Sequence, residues 1–307
     1  MKNKRVPLKH HFIPQFILRN FINENNKLYY YSKQNMETIE EFTSNIFMEI
    51  NLNKDEINNK DNPLWIEEEL SYFENQVAPI FRKFNSQDEI ILLPEDTYKL
   101  RIFLFVMMFR SKHVRNDFLK FTNNDINLYE LFQEFENSED LWKKNLGALA
   151  KCRNEKELKK LKDVNPLILE KLFFQFTQYY TTILEKRGSI DFVISDVYPT
   201  IYYREVNQHL FPVCLFFPIS PNRLLVLNYL NNDKLFKNDN FITKNLSYPP
   251  RPYDYKTKAI KIIVKKIYEN EVKEINRLID ENAIEGIVLG YSNSSILWFD
   301  IRKISQY

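Results

Sequence analysis

The sequence predicts an α+β fold that is predominantly helical, with a small antiparallel sheet in the C-terminal half. Apolar residues recur at helical spacing over residues 63–84 and 94–121, which indicates two long helices. After Gly188 the pattern changes to short β-branched or aromatic runs separated by prolines, which is typical of strands. The chain contains 25 Phe and 18 Tyr but only 4 Gly, so rigid rings supply most of the packing.

We expect a single domain over residues 1–307, with a helical half at about 1–187 and a half of mixed sheet and helix at about 188–307. The hydrophobic content of 44% is enough for one large core, so disorder is not expected. No internal repeat and no clear linker divides the sequence.

Residues 8–22 are expected to form a short extended segment and then a helical turn, because Pro14 disfavours helix at the residue before it. A strand is expected at residues 27–32 and a polar loop at 51–62. The first long helix begins near Pro63, a residue type that suits the first helical turn. Its apolar stripe consists of Ile66, Leu70, Phe73, Val77, Ile80 and Phe84.

The second long helix, over 94–121, is apolar all round between residues 102 and 109 and is expected to cross the core. Three more helical segments are expected over 127–187, of which 167–184 is apolar and aromatic. Strands are expected at residues 190–194, 200–204, 213–217 and 224–228. The prediction ends with a long helix at 256–282 and a strand pair at 287–291 and 296–301.

The composition excludes several classes of function. The formal charge of +2 gives no field that indicates nucleic acid by itself. Gly286 and Gly290 lack the spacing of a phosphate-binding loop, and Cys152 and Cys214 lack that of a zinc motif or a disulfide framework. The longest apolar stretch, 102–109, is far shorter than the roughly 20 residues that cross a bilayer. We therefore expect a cytoplasmic protein without a membrane segment.

The adjacent residues His10 and His11 are the first candidates for chemistry, because a neutral imidazole can act as a general base or bind a metal. Neighbours in an extended segment point in opposite directions, so at most one of them reaches a given reacting atom. The other would orient it or lie in the core. A purely structural role for both is the alternative on these residues alone.

Gln15 and Arg19 are four residues apart, so a helical turn places them on one face beside the histidines. Arg19 could clamp a phosphate or form an ordinary ion pair. Glu67 and Glu74 are seven residues apart and lie nearly on one line of the first long helix. They could hold a divalent cation with a histidine, or pair with Arg101 and Arg110 of the next helix. The ion pair is the favoured alternative on the sequence alone.

Ser195 and Asp196 stand at the end of an apolar strand, where a scaffold often presents a functional side chain. The alternative is a turn, because both residue types bond local backbone amides. No Gly-x-Ser-x-Gly motif surrounds Ser195, so a serine hydrolase is not indicated. His113 and His209 are lone histidines with polar neighbours and are expected at the surface.

Several pieces of the sequence together resemble the bacterial domain-of-unknown-function family numbered 4238, over nearly the whole chain. The most specific piece is the N-terminal His10-His11-x-x-Pro14-Gln15 signature. The others are the helix with Glu67 and Glu74, Arg110 after an apolar helix, Ile194-Ser195-Asp196 before Pro199, and Phe217-Pro218-Ile219-Ser220-Pro221. The family usually has a serine-aspartate-asparagine-proline run, whereas here Val197 and Tyr198 replace the asparagine and shift the proline by one position.

The resemblance favours a functional role for the two histidines, because the family's characteristic residues are polar and titratable. The His-His-x-x-Pro string also looks somewhat like the first strand of HNH nucleases, although no downstream histidine completes that metal-binding finger.

Our first hypothesis is a nuclease-like phosphodiesterase that acts on DNA or RNA, with a bacterial toxin or phage-defence role. It assigns His10 or His11 as base, His11, Glu74 and Asp196 as ligands of Mg²⁺ or Mn²⁺, and Arg19 and Arg110 as cations that stabilise phosphate charge. The second hypothesis is a non-catalytic sensor or interaction module that binds a small anionic ligand. The first requires one histidine to lie within about 8 Å of Glu67, Glu74, Arg110 and Asp196.

Overall fold

The computed structural model describes residues 9–56, 58–110, 139–152, 157, 179–206, 209–229 and 259–292. His113, the strand predicted at 296–301 and most of the helical segments predicted over 127–187 lie outside these residues. No helix in the described ranges is long and apolar enough to cross a membrane.

The N-terminal region is made of short elements in close succession. These are β1 (Lys9–His11), α1 (Gln15–Leu18), a 3-10 turn (Arg19–Phe21), β2 (Leu28–Ser32), β3 (Glu37–Glu41) and β4 (Met48–Ile50). The extended segment, the helical turn and the strand predicted near residues 27–32 are thereby confirmed. Strand β1 pairs antiparallel with β4, so that His10 lies opposite Glu49 and His11 opposite Met48.

Two long helices follow, as the helical spacing predicts. The elements are α2 (Trp65–Ser86), β5 (Glu89–Leu92), α3 (Pro94–Arg110) and α4 (Glu139–Lys151). The predicted apolar stripe of α2 is buried throughout, and α3 is buried nearly all round between Leu100 and Arg110. Because α3 is surrounded by protein, Arg101 and Arg110 are buried as well.

The C-terminal region consists mainly of strands. They are β6 (Tyr179–Lys186), β7 (Ile194–Ser195), β8 (Thr200–Val206), β9 (His209–Ser220), β10 (Arg223–Tyr229), β11 (Ile260–Ile267) and β12 (Gly286–Leu289), with α5 (Glu269–Asn282) before the last. The described strands form a six-stranded sheet of order β5-β11-β6-β10-β9-β8, a four-stranded sheet of order β3-β2-β12-β7, and the β1-β4 pair. In β11, residues 260–263 pair antiparallel with β5, and residues 264–267 pair parallel with β6.

The prediction of a predominantly helical fold with one small C-terminal sheet is therefore wrong. Strand β6 lies partly in the helix predicted at 167–184, and β11 lies in the helix predicted at 256–282. A continuous apolar run is compatible with a buried strand or a buried helix, and periodicity does not separate the two. The four-stranded sheet also combines β2 and β3 with β7 and β12, so sheet structure is not confined to the C-terminal half.

The segment from β1 to the 3-10 turn is held against the two long helices and the large sheet. The Phe16 ring packs on Phe81 of α2 and Phe103 of α3, with centroid distances of 5.3 and 6.0 Å. The Asn20 side-chain amide donates a hydrogen bond to the Ile219 carbonyl of β9 at 2.8 Å. These contacts fix the direction in which the side chains of His11, Gln15 and Arg19 project.

Candidate functional site

A cavity of about 590 Å³ lies between the β1–α1 segment, helix α2 and the last described turn of α3. Six of the nine site residues that the sequence predicts contribute to its wall, from three separate stretches of the chain. The lining residues are Lys9, His11, Gln15, Phe16, Arg19, Ser44, Glu67, Ser71, Glu74, Asn75, Ala78 and Arg110.

His11 is the imidazole that lines this cavity. Its Nε2 lies 3.1 Å from the Thr43 carbonyl oxygen, an acceptor, so we assign the ring proton to Nε2. This tautomer leaves a lone pair on Nδ1. Burial lowers the pKa of His11 below its ordinary value, and Arg110 lowers this pKa further, while the Thr43 carbonyl and Glu67 raise it. The imidazole is therefore neutral at neutral pH and can accept a proton at Nδ1.

Gln15 connects the base to a cation. Its amide nitrogen lies beside the imidazole, 3.4 Å from Nδ1 and 3.3 Å from Nε2 of His11. Nδ1 faces this amide, but at 3.4 Å the contact is longer than an ordinary hydrogen bond and leaves the lone pair of Nδ1 able to accept a proton. The Gln15 oxygen accepts a hydrogen bond from Arg19 Nη2 at 3.0 Å. The predicted pairing of Gln15 and Arg19 on one helical face is thus present, and it extends to His11.

His10 points away from the cavity, as the alternation along a strand requires. It is fully buried, and its Nδ1 accepts a hydrogen bond from the Asn53 backbone amide at 2.8 Å. The side-chain amide of Asn53 in turn donates to Glu67 Oε2 at 2.8 Å. His10 therefore supports the loop that orients Glu67, and it does not line the cavity.

Glu74 and Arg110 form a close ion pair at the boundary of α2 and α3. Only 2% of Arg110 is exposed, and its buried Nε has no hydrogen-bond partner among the described residues. Burial raises the pKa of Glu74 and Glu67 acts in the same direction, whereas Arg110 lowers this pKa. An arginine with an unsatisfied buried donor at a cavity wall is suited to bind an anion.

Ser195 and Asp196 do not line the cavity. The Asp196 carboxylate accepts backbone hydrogen bonds from Ile284 and Glu285 at 3.0 and 2.9 Å, while the Ser195 hydroxyl donates to the Val197 carbonyl at 3.1 Å. Both residues stabilise the junction of β7 with the turn before β12. Their role is therefore structural, but only the Ser195 bond is local, because the amides that Asp196 accepts from are remote in sequence.

The predicted metal ligands are not brought together. In the part of the chain that the structure describes, no group of three or more His, Cys, Asp and Glu side chains could hold a metal ion. Of the predicted ligands, Asp196 is engaged with backbone amides elsewhere, and Glu74 already pairs with Arg110. The described residues thus do not assemble the predicted ligand set His11, Glu74 and Asp196.

Sequence reasoning missed several residues of the cavity. Ser71, Asn75 and Ala78 follow Glu67 and Glu74 at helical spacing, so projecting α2 around its axis would have found them. Ser44 lies in a short 3-10 turn, Thr43–Asn45, and gives no periodic signal. Asn53, which supports Glu67 from behind the cavity wall, gives no periodic signal either.

The family model described as "Protein of unknown function (DUF4238)" matches residues 9–292, a range that includes every residue of the cavity. The resemblance that the histidine signature indicates is thereby confirmed. No curated protein and no solved structure matches the chain.

Proposed function

This chain belongs to the DUF4238 family, and from that premise we propose that it is a nuclease-like phosphodiesterase that cleaves DNA or RNA at the cavity around His11. One observation carries the proposal: a neutral imidazole, two carboxylates and three cationic side chains line the same cavity. A base beside several cations is the combination that phosphodiester hydrolysis requires.

In the proposed reaction a water molecule attacks phosphorus and passes its proton to Nδ1 of His11. Negative charge develops on the non-bridging oxygens, where Arg110 and Arg19 stabilise it. The bond between phosphorus and the leaving strand's oxygen then breaks, and that oxygen takes a proton from solvent. His11 finally releases its proton to solvent, which restores the neutral base. Glu74 orients Arg110, and Gln15 orients both His11 and Arg19.

The second candidate is a non-catalytic sensor that binds a small anionic ligand in the same cavity. The unsatisfied Nε of Arg110 supports it, because binding an anion would satisfy this donor without any reaction. Both candidates bind an anionic ligand, but only the phosphodiesterase converts it.

For the catalytic candidate we propose a toxin or phage-defence role, in which cleavage of nucleic acid would stop growth or infection.

The test is a cleavage assay of the purified chain on single- and double-stranded DNA and RNA, with Mg²⁺, with Mn²⁺ and with a chelator. The decisive variant is His11→Gln, because a glutamine amide can keep the hydrogen bond to Thr43 but cannot accept the proton. We expect cleavage to fall at least roughly 100-fold in this variant. We also expect cleavage in the chelator arm, since side chains supply the base and the cations.

Arg19→Gln should also reduce cleavage, whereas Arg82→Gln, which changes an exposed arginine of α2 outside the cavity, should not. Full activity in His11→Gln would overturn the catalytic proposal. No cleavage of any substrate, together with stabilisation of the fold by nucleotides or phosphate, would support the sensor instead.

A further inference from the structure

The groups that would contact phosphate lie inside the protein. His11 is 8% exposed and Arg110 is 2% exposed, so a phosphate must enter the cavity to reach either of them. The cavity volume of about 590 Å³ is that of a site for a small ligand, which would accommodate about one nucleotide. Duplex DNA is stiff, with a persistence length of about 150 base pairs. It therefore cannot insert one phosphate into the cavity without distorting the adjacent nucleotides.

The cavity lining combines apolar and cationic side chains. Phe16 and Ala78 form an apolar part, and the Phe16 ring is held in place by its contacts with Phe81 and Phe103. Aromatic rings fixed in this way are the usual stacking platforms for bases of single strands. Three cations, Lys9, Arg19 and Arg110, also belong to the lining.

The two carboxylates of the lining offset part of this positive charge, and three cations against two carboxylates leave a formal net charge of +1. Glu74 is paired with Arg110, and Glu67 accepts a hydrogen bond from Asn53. The lining therefore offers an aromatic ring that suits a base and cations that suit a phosphate, which together are the parts of a nucleotide unit.

We infer that this cavity takes single-stranded nucleic acid, one nucleotide unit of which inserts with its base on Phe16 and its phosphate toward Arg110 and His11. This inference rests on the proposed function for the identity of the ligand as a phosphodiester. Duplex DNA or RNA is excluded from the cavity unless it has an unpaired end or a flipped nucleotide.

The experiment measures how tightly fluorescent oligonucleotides of about 12 nucleotides bind to the His11→Gln variant. This variant is used because we expect it to bind the probes without cleaving them. The probes are a single strand, the blunt duplex of the same sequence and a duplex with a single-stranded overhang, each as DNA and as RNA at one salt concentration. We expect the single strand and the overhang to bind at least tenfold more tightly than the blunt duplex. Equal binding of the blunt duplex, or binding of none of the probes, would overturn the inference.

A second variant tests the stacking of a base on Phe16. Phe16→Leu keeps an apolar side chain but removes the ring, and we expect single-strand affinity to fall roughly fivefold or more. The matched control is Phe42→Leu, because Phe42 is 51% exposed and lies outside the cavity. Equal affinities of the two variants would contradict insertion onto Phe16.

Cleavage by the unmodified chain separates this inference from the proposed function. His11-dependent cleavage of blunt duplexes as fast as of single strands would keep the proposed function and overturn the inference. Tight and selective single-strand binding without cleavage would support the inference and overturn the catalytic proposal.

Discussion

At the scale of single residues, the protonation of His11 is the property on which the proposed chemistry depends. Burial is the main cause that lowers the pKa of this residue. We expect the His11 imidazole resonances to titrate below the ordinary pH of about 6.5 in an NMR experiment. Between the two pKa values the unfolded chain binds this proton more readily than the folded chain does. The contribution of His11 to the free energy of unfolding is therefore complete above about pH 6.5 and is lost as the pH falls toward the folded-state pKa. A titration above pH 6.5 would contradict this account.

Glu67 also affects the pKa of His11, and the direction of its effect is known. Its negative charge raises the pKa of His11, so Glu67→Gln should lower that pKa further. The matched control is Glu68→Gln, an exposed neighbour on α2 that does not line the cavity. The same NMR titration measures both variants, and an equal effect of the two would show that Glu67 is not held near His11.

At the scale of elements, the Glu74–Arg110 ion pair joins α2 to α3. Glu74→Gln leaves the buried Arg110 charge without its partner, and we expect a loss of about 2 kcal/mol in the free energy of unfolding. This is less than for a fully buried pair, because the Glu74 side chain is 19% exposed. Urea unfolding measures the change. The double variant Glu74→Gln with Arg110→Met should recover part of the loss, and failure to recover any would argue against the pair as its cause.

The contact between α2 and α4 depends on a glycine. A Cβ added at Gly147 would lie 2.0 Å from Cη2 of Trp65, whose indole Nε1 is tied to Asp55 by a hydrogen bond of 2.9 Å. Helix propensity alone would make Gly147→Ala stabilising by about 1 kcal/mol. We expect the overlap to dominate and the variant to be destabilised by about 1–3 kcal/mol in urea unfolding.

The control for this prediction is the same substitution in a Trp65→Leu background. The smaller side chain removes the obstacle, so Gly147→Ala should there be neutral or stabilising. A destabilisation of equal size in both backgrounds would locate the cause outside the Trp65 contact.

At the scale of the whole molecule, the parts of the site that follow from local geometry could be predicted, and the parts set by distant pairing could not. The spacing of Gln15 from Arg19 and of Glu67 from Glu74 is fixed by helical periodicity, so each pair was placed correctly on one face. The opposite directions of His10 and His11 also follow from strand geometry. The pairing of β1 with β4 and the position of Thr43 decide that His11, and not His10, points into the cavity.

Asp196 shows where prediction from sequence ends. Its carboxylate is drawn to backbone amides at Ile284 and Glu285 by the pairing of β7 with β12, a contact across nearly 90 residues. The sequence predicts helix over β11 and part of β6 for a related reason, because a buried sheet gives the same apolar runs as a buried helix. Only the partner strands distinguish the two, and those partners are remote in sequence.

The central claim is that His11 is the base of a phosphodiesterase. The most direct measurement is the pH dependence of kcat/KM for cleavage of a single-stranded oligonucleotide, since kcat/KM reports the ionisations of the free enzyme. We predict an acidic limb with its midpoint at the pKa found for His11 by NMR, below about 6.5, and loss of this limb together with nearly all activity in His11→Gln. An acidic limb of the same position and height in His11→Gln would contradict the claim.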